Sequence, residues 1–151
     1  RELCHTVKSG VYKEITTEMA AAMAAVIPSP EQGERTVLVP VPSHLTGITY
    51  TLNLANAIAA MTGYEVCNCL LRIDGREWSK EKNGSGVRPE IRMADVYLPI
   101  GKRVCLVDNV IDTGTTMRLC EEALKSKRPS TYDFDYMFGV AYGDTRPVRE
   151  V

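Results

Sequence analysis

The chain has 151 residues, long enough for one domain with a sizeable core. A hydrophobic share of 44% and a charged share of 25% are ordinary for a globular protein. A formal charge of −1 excludes a general nucleic-acid coat, which needs a basic surface, and no apolar run reaches the roughly 18 residues that span a membrane.

The first predicted element is an amphipathic helix over residues 11–27, where Val11, Ile15, Met19, Ala22, Met23 and Val26 recur at helical spacing. Pro28-Ser29-Pro30 stops it. Its alanine-rich stretch follows Glu14 and Glu18, so it does not read as a signal peptide. Residues 36–41 form a short β-branched and aliphatic strand, and residues 49–61 a second helix with Leu52, Ala55, Ile58 and Ala59 inward and Gly63 as its C-terminal cap. Residues 65–73 read as a strand. Residues 74–90 are polar, hold Gly75, Gly84 and Gly86, and read as a long loop of the kind that is usually functional.

A strand at 103–107, a helix at 117–127 and a last strand at 134–142 complete the pattern. Alternating helices and strands predict an α/β domain, with a mainly parallel sheet flanked by helices and ligands beyond the carboxyl ends of the strands. No repeat or linker divides the chain, so residues 1–151 are expected to form a single domain. Five cysteines (Cys4, Cys67, Cys69, Cys105, Cys120) are an odd number without zinc-like spacing. They are expected as core or half-buried thiols of a reducing cytoplasm, with Cys67 and Cys69 on one face of a strand.

Residues 104–116, Val-Cys-Leu-Val-Asp-Asn-Val-Ile-Asp-Thr-Gly-Thr-Thr, carry the chemistry. A continuous apolar run suits a strand buried on both faces. Asp108 and Asn109 at its carboxyl end can accept hydrogen bonds from ribose hydroxyls or hold a hydrated magnesium ion. Asp112, Thr113, Gly114, Thr115 and Thr116 then stand at a helix start, where backbone N–H groups favour an anion and Gly114 permits close approach. The plainer alternative is a strand–helix turn with Asp112 or Thr113 as N-cap.

This stretch resembles the phosphoribosyl pyrophosphate (PRPP) motif of type I phosphoribosyltransferases. The resemblance covers about residues 36–143 and implies that family's fold, with a flexible loop and a small hood. It implies that Asp108 and Asn109 face the ribose, Asp108 holds Mg²⁺, and residues 112–116 enclose the 5′-phosphate. Asn109 stands where the family has a second acid. Asp112 resembles the acid that handles the N7 proton in members acting on 6-oxopurines, and it serves equally as a helix cap.

Val39-Pro40-Val41-Pro42-Ser43-His44 resembles the pyrophosphate segment of the competence-associated, amidophosphoribosyltransferase-like branch. The arginine and Asn-Gln pair usual there are replaced by Thr46, Thr49 and Tyr50, leaving Ser43, His44 and backbone N–H groups as pyrophosphate donors. The long loop and its flank add Arg76, Lys80, Lys82, Arg88 and Arg92, with Arg88 taken as a pyrophosphate ligand. Tyr142 and Asp144 are the acceptor-side candidates.

The resemblance implies a cytoplasmic, Mg²⁺-dependent transfer of ribose 5-phosphate from PRPP to a nucleobase, with release of pyrophosphate and with Asp108 and Asp112 as catalytic residues. A 6-oxopurine is slightly favoured as acceptor. The alternative is a non-catalytic module that binds PRPP or a nucleotide. Family members are often dimers, and a homodimer is the assembly the resemblance allows.

Overall fold

The computed structural model describes residues 13–42, 50–73, 90–93, 102–111, 114–126 and 134–144. In chain order they form α1 (Lys13–Val26), β1 (Arg35–Pro40), α2 (Tyr50–Thr62), β2 (Glu65–Val66), β3 (Leu70–Ile73), β4 (Glu90–Met93), β5 (Lys102–Ile111), α3 (Thr115–Ser126) and β6 (Phe134–Asp144). Among these, four strands make a parallel sheet in the order β2-β1-β5-β6, and β3 and β4 pair antiparallel as a separate ribbon. This is the expected mainly parallel sheet flanked by helices.

The helices divide between the two faces, and the alternation of β5 shows why. Cys105 and Val107 point into one apolar cluster with Met19, Met23, Leu54 and Ile58 of α1 and α2. Val104 and Leu106 point into a second cluster with Cys120, Ala123 and Leu124 of α3 and with Leu70 and Ile91 of the ribbon. Residues 104–107, sandwiched in this way, must be apolar at every position, which is the reason for their unbroken hydrophobic run.

Local signals account for the helix ends. Gly63 adopts φ 80°, and its N–H bonds the Ala59 carbonyl at 2.8 Å, so it closes α2 as predicted. The α1–β1 connection turns through Glu31–Glu34 (Glu34 N–H to Glu31 O, 3.0 Å), with Gly33 supplying a positive φ of 84°.

Three elements differ from expectation. The strand expected over 65–73 is two pieces, β2 in the main sheet and β3 in the ribbon, separated by an irregular joint at 67–69. The expected loop ends earlier, because Glu90–Met93 is recruited as β4 by pairing with β3 (Leu70↔Met93, Ile73↔Glu90). Strand β5 runs four residues past Val107, to Ile111, because β6 continues to pair with it. Among the described residues no helix is long and apolar enough to cross a membrane.

Candidate functional site

The connections of β1 and β5 locate a crevice. From β1 the chain passes through α2 to β2 on one side; from β5 it passes through α3 to β6 on the other. Neighbouring parallel strands whose connections depart in opposite directions leave an opening beyond their carboxyl ends, where ligands of such sheets bind. Pairing of β1 with β5 ends at Pro40↔Val107, and a last bond runs from Val41 N–H to Val107 O at 2.9 Å. Beyond it β5 continues against β6 alone, through Asp108↔Ala141 and Val110↔Gly143 to Ile111↔Asp144.

Asp108 and Asn109 are therefore the first residues past the point where β1 leaves. Both are strand residues, and both are buried, at 8% and 1% exposure. The Asp108 carboxylate (Oδ1) accepts the backbone N–H of Asn109 at 2.8 Å. Its charge is felt on the α3 side of the sheet, where together with burial it pushes the Cys120 thiol up to about 12.

The start of α3 supplies the second wall. The Gly114 carbonyl accepts the Arg118 N–H at 3.0 Å, so the N-cap position falls on Gly114, which has φ 82°. The first-turn N–H groups, those of Thr115 and Thr116 among them, point out of the helix start and suit an anion. Both threonines are half-buried. Asp112 and Thr113 lie outside the described residues.

On the opposite wall, Val41 and Pro42 end the β1 side and Tyr50 begins α2. The buried Thr51 hydroxyl donates to the Val41 carbonyl at 2.7 Å, holding the two ends of that connection together. Ser43, His44, Thr46 and Thr49 lie outside the described residues, as do Arg76, Lys80, Lys82 and Arg88 of the 74–89 segment that joins β3 to β4. Arg92 is described. It pairs with Glu90 on an exposed face of the ribbon, at 2.7 Å, and does not join the crevice. Tyr142 and Asp144 belong to the end of β6, level with Asn109–Ile111, with Tyr142 39% exposed. No separate hood is formed by the described residues.

One cation escaped the sequence reading. Along β3, Leu71 and Ile73 face solvent, which leaves Leu70 and Arg72 on the inner side. Arg72 lowers the Cys120 thiol while Asp108 raises it, so both charges reach the same place beneath α3. Period-two alternation was the signal that would have found it, once β3 was separated from β2.

The donors also test the fit of a magnesium ion. Asp108 offers one carboxylate and Asn109 an amide oxygen, and among the described residues no group of three or more ligand side chains exists. Such a set suits an ion held largely by substrate oxygens and water, as Mg²⁺ often is, and not a protein-built cage.

The fold has solved counterparts. A hypoxanthine phosphoribosyltransferase from Staphylococcus aureus superposes with a TM-score of 0.52 at 16% identity, over 89% of this chain and 68% of that one. An adenine phosphoribosyltransferase from Thermoanaerobacter pseudethanolicus gives 0.52 at 11% identity, over 87% and 81%. No family model and no curated protein matches the sequence. The architecture is that of the type I phosphoribosyltransferases.

Proposed function

We propose that the crevice between β1 and β5 binds PRPP, and that the protein transfers its ribose 5-phosphate to a purine base with release of pyrophosphate. The observation that carries this reading is the position of Asp108 and Asn109: a buried polar pair directly after the apolar run 104–107 of β5, at the switch point of the sheet, beside a helix start opened by Gly114. The two solved counterparts act, by name, on hypoxanthine and adenine, which supports a purine acceptor. The likeness of Asp112 to the acid of 6-oxopurine enzymes favours hypoxanthine or guanine over adenine. The Val39–His44 segment resembles that of the competence-associated branch, which supports a relation to it. The setting is cytoplasmic.

In the proposed reaction a ring nitrogen of the base attacks C1′ of the ribose as the C1′–O bond to pyrophosphate breaks, and the base loses its proton. The Asp108 carboxylate orients the ribose hydroxyls and stabilises positive charge growing on the ring. The N–H groups at the start of α3 hold the 5′-phosphate. Asp112 is positioned by sequence to receive the proton. Ser43 and His44 on the β1–α2 connection, with Arg72 and Arg88, complement the pyrophosphate. Asp108, together with substrate oxygens, would hold Mg²⁺, which would supply charge neutralisation for the leaving group.

A second reading, a module that binds PRPP or a nucleotide without turnover, is favoured by Asn109. A neutral amide, 1% exposed, stands where a second carboxylate would strengthen the field on the ribosyl cation. Pyrophosphate release from PRPP with Mg²⁺, measured across hypoxanthine, guanine, xanthine, adenine and uracil, separates the two. Turnover with a base sinks the sensor. Thermal stabilisation by PRPP without turnover sinks the enzyme, since a ligand selective for the folded state raises its melting temperature. The absence of both sinks the site.

A further inference from the structure

Three of the cysteines lie in one apolar layer between the sheet, the ribbon and α3. Cys67 and Cys69 flank the irregular joint between β2 and β3, and Cys120 enters the same cluster from α3. Cys69 is 0% exposed, whereas Cys67 keeps 8%. The joint is pinned at its start by the Cys67 N–H, which bonds the Leu38 carbonyl at 2.9 Å. Cys67 and Cys69 stand two residues apart with both side chains turned into that one cluster, in backbone that neither strand nor helix constrains.

We propose that Cys67 and Cys69 are a redox modification site, closing reversibly into an intramolecular disulfide when the chain meets a peroxide. The division of roles follows from the surroundings. The neighbouring Cys69 thiol lowers Cys67 from its ordinary value, while the Cys67 thiol and then burial raise Cys69. Cys120 is pushed up to about 12 by burial and by Asp108, which makes it a poor competitor. Cys67 is the more accessible thiol, hence the attacking group.

Cys67 sulfur attacks one peroxide oxygen. The O–O bond breaks, Cys67 becomes a sulfenic acid, and the other oxygen leaves as water or an alcohol. Cys69 sulfur then attacks the Cys67 sulfur and expels hydroxide, which takes the Cys69 proton to form a second water. Two electrons pass from the thiols to the peroxide, and a dithiol reductant reverses the change by exchange. The new bond ties down the joint immediately before Leu70, the first residue of β3. That strand carries Arg72 and leads into the 74–89 segment.

Trypsin makes the test direct, because the peptide 36–72 contains Cys67 and Cys69 and no other cysteine. Cys105 falls in peptide 104–118 and Cys120 in 119–125. The folded full chain is treated with hydrogen peroxide, alkylated and digested. The expected product is peptide 36–72 without alkyl groups and lighter by two hydrogens, restored by dithiothreitol. It forms equally in Cys120→Ser, whereas Cys69→Ser stops at a sulfenic acid on Cys67 that dimedone captures. Peptide 36–72 carrying two alkyl groups after peroxide, or joined chiefly to 119–125, overturns the proposal. So does its formation only after denaturation. Neither readout uses PRPP, so the result stands apart from the proposed reaction.

Discussion

The two ends of β5 bury polar groups in opposite ways. At its beginning Arg103, 2% exposed, is gripped from several segments at once. Its Nε donates to the Thr36 hydroxyl at 3.0 Å, Nη1 donates to the Pro28 carbonyl, and the Glu34 carboxylate stands 3.9 Å away. The rings of Phe138 and Tyr64 face the guanidinium at 5.1 and 6.0 Å. Five residues on, Asp108 accepts the N–H of its own neighbour. Burial does not distinguish the two, but position along the strand does. A cation locked among the amino ends of parallel strands, the α1–β1 connection and two rings is architecture, whereas a carboxylate at the carboxyl end of the same strand lies where ligands of such sheets bind.

The sharpest test of that contrast is Asp108→Asn, which keeps the shape and the acceptor oxygen for the Asn109 N–H and removes only the charge. If Asp108 stabilises a ribosyl cation, pyrophosphate release from PRPP falls by about 10²–10³-fold, the size seen when one preorganised electrostatic group is lost. The melting temperature should move little. A variant that turns over as fast as the parent would put the charge at this end in the architectural class as well.

Arg103→Ala should show the opposite profile. It leaves the Thr36 hydroxyl and Pro28 carbonyl without their donor and opens a cavity beneath two rings, a loss of about 3 kcal/mol. At this chain length that corresponds to a fall in melting temperature of roughly 6–12 °C. Turnover per folded molecule should survive, because the guanidinium lies at the far end of the strand from the crevice. Loss of PRPP binding by the folded variant would break the comparison.

What could be read from the sequence divides along the same line. Periodicity gave the helices and main strands, since burial on one helix stripe or both sheet faces writes itself into residue order. The motif at 104–116 placed Asp108, Asn109 and Gly114 because its chemistry is local: each group sits beside the next in the chain. Arg103 was legible only as the first residue of a strand, for its partners Pro28, Glu34, Thr36, Tyr64 and Phe138 are scattered through the sequence. Arg72 was missed for a related reason. The run 65–73 hides a change of sheet at 67–69, and only after that break does the alternation of Leu70 to Ile73 acquire an inside. Strand β4 was not read, apart from Glu90 taken as the end of the loop, because four residues paired with a distant strand leave no period to detect.

Asn109→Asp places the comparison on a single atom pair. A carboxyl at a site 1% exposed is desolvated, so its folded pKa is raised above the ordinary value near 4. The folded state then binds the proton more tightly than the unfolded chain. Stability relative to the parent is retained below the unfolded pKa and is lost as pH rises through the folded one, with a deficit of about 2 kcal/mol at neutral pH. Urea melts at pH 4 and pH 8 check the sign. Should PRPP with Mg²⁺ remove the deficit at pH 8 and turnover rise above the parent, the missing charge limits the reaction. Unchanged or lower turnover in the folded variant counts against that account.

The smallest effect concerns a polar group that is architectural although it lies at the carboxyl end. Thr51→Val keeps the side-chain shape and deletes the 2.7 Å bond to the Val41 carbonyl, leaving a buried acceptor with one donor fewer. The cost should be about 1–2 kcal/mol, read as a shift in the urea midpoint at constant slope. Because Val41 and Thr51 hold the two ends of the connection bearing Ser43 and His44, loosening them should raise the KM for PRPP several-fold with little change in kcat. A fall in kcat with KM unchanged would move Thr51 to the chemical side of the comparison. It would also show that the β1–α2 connection acts on the transition state and not only in holding the substrate.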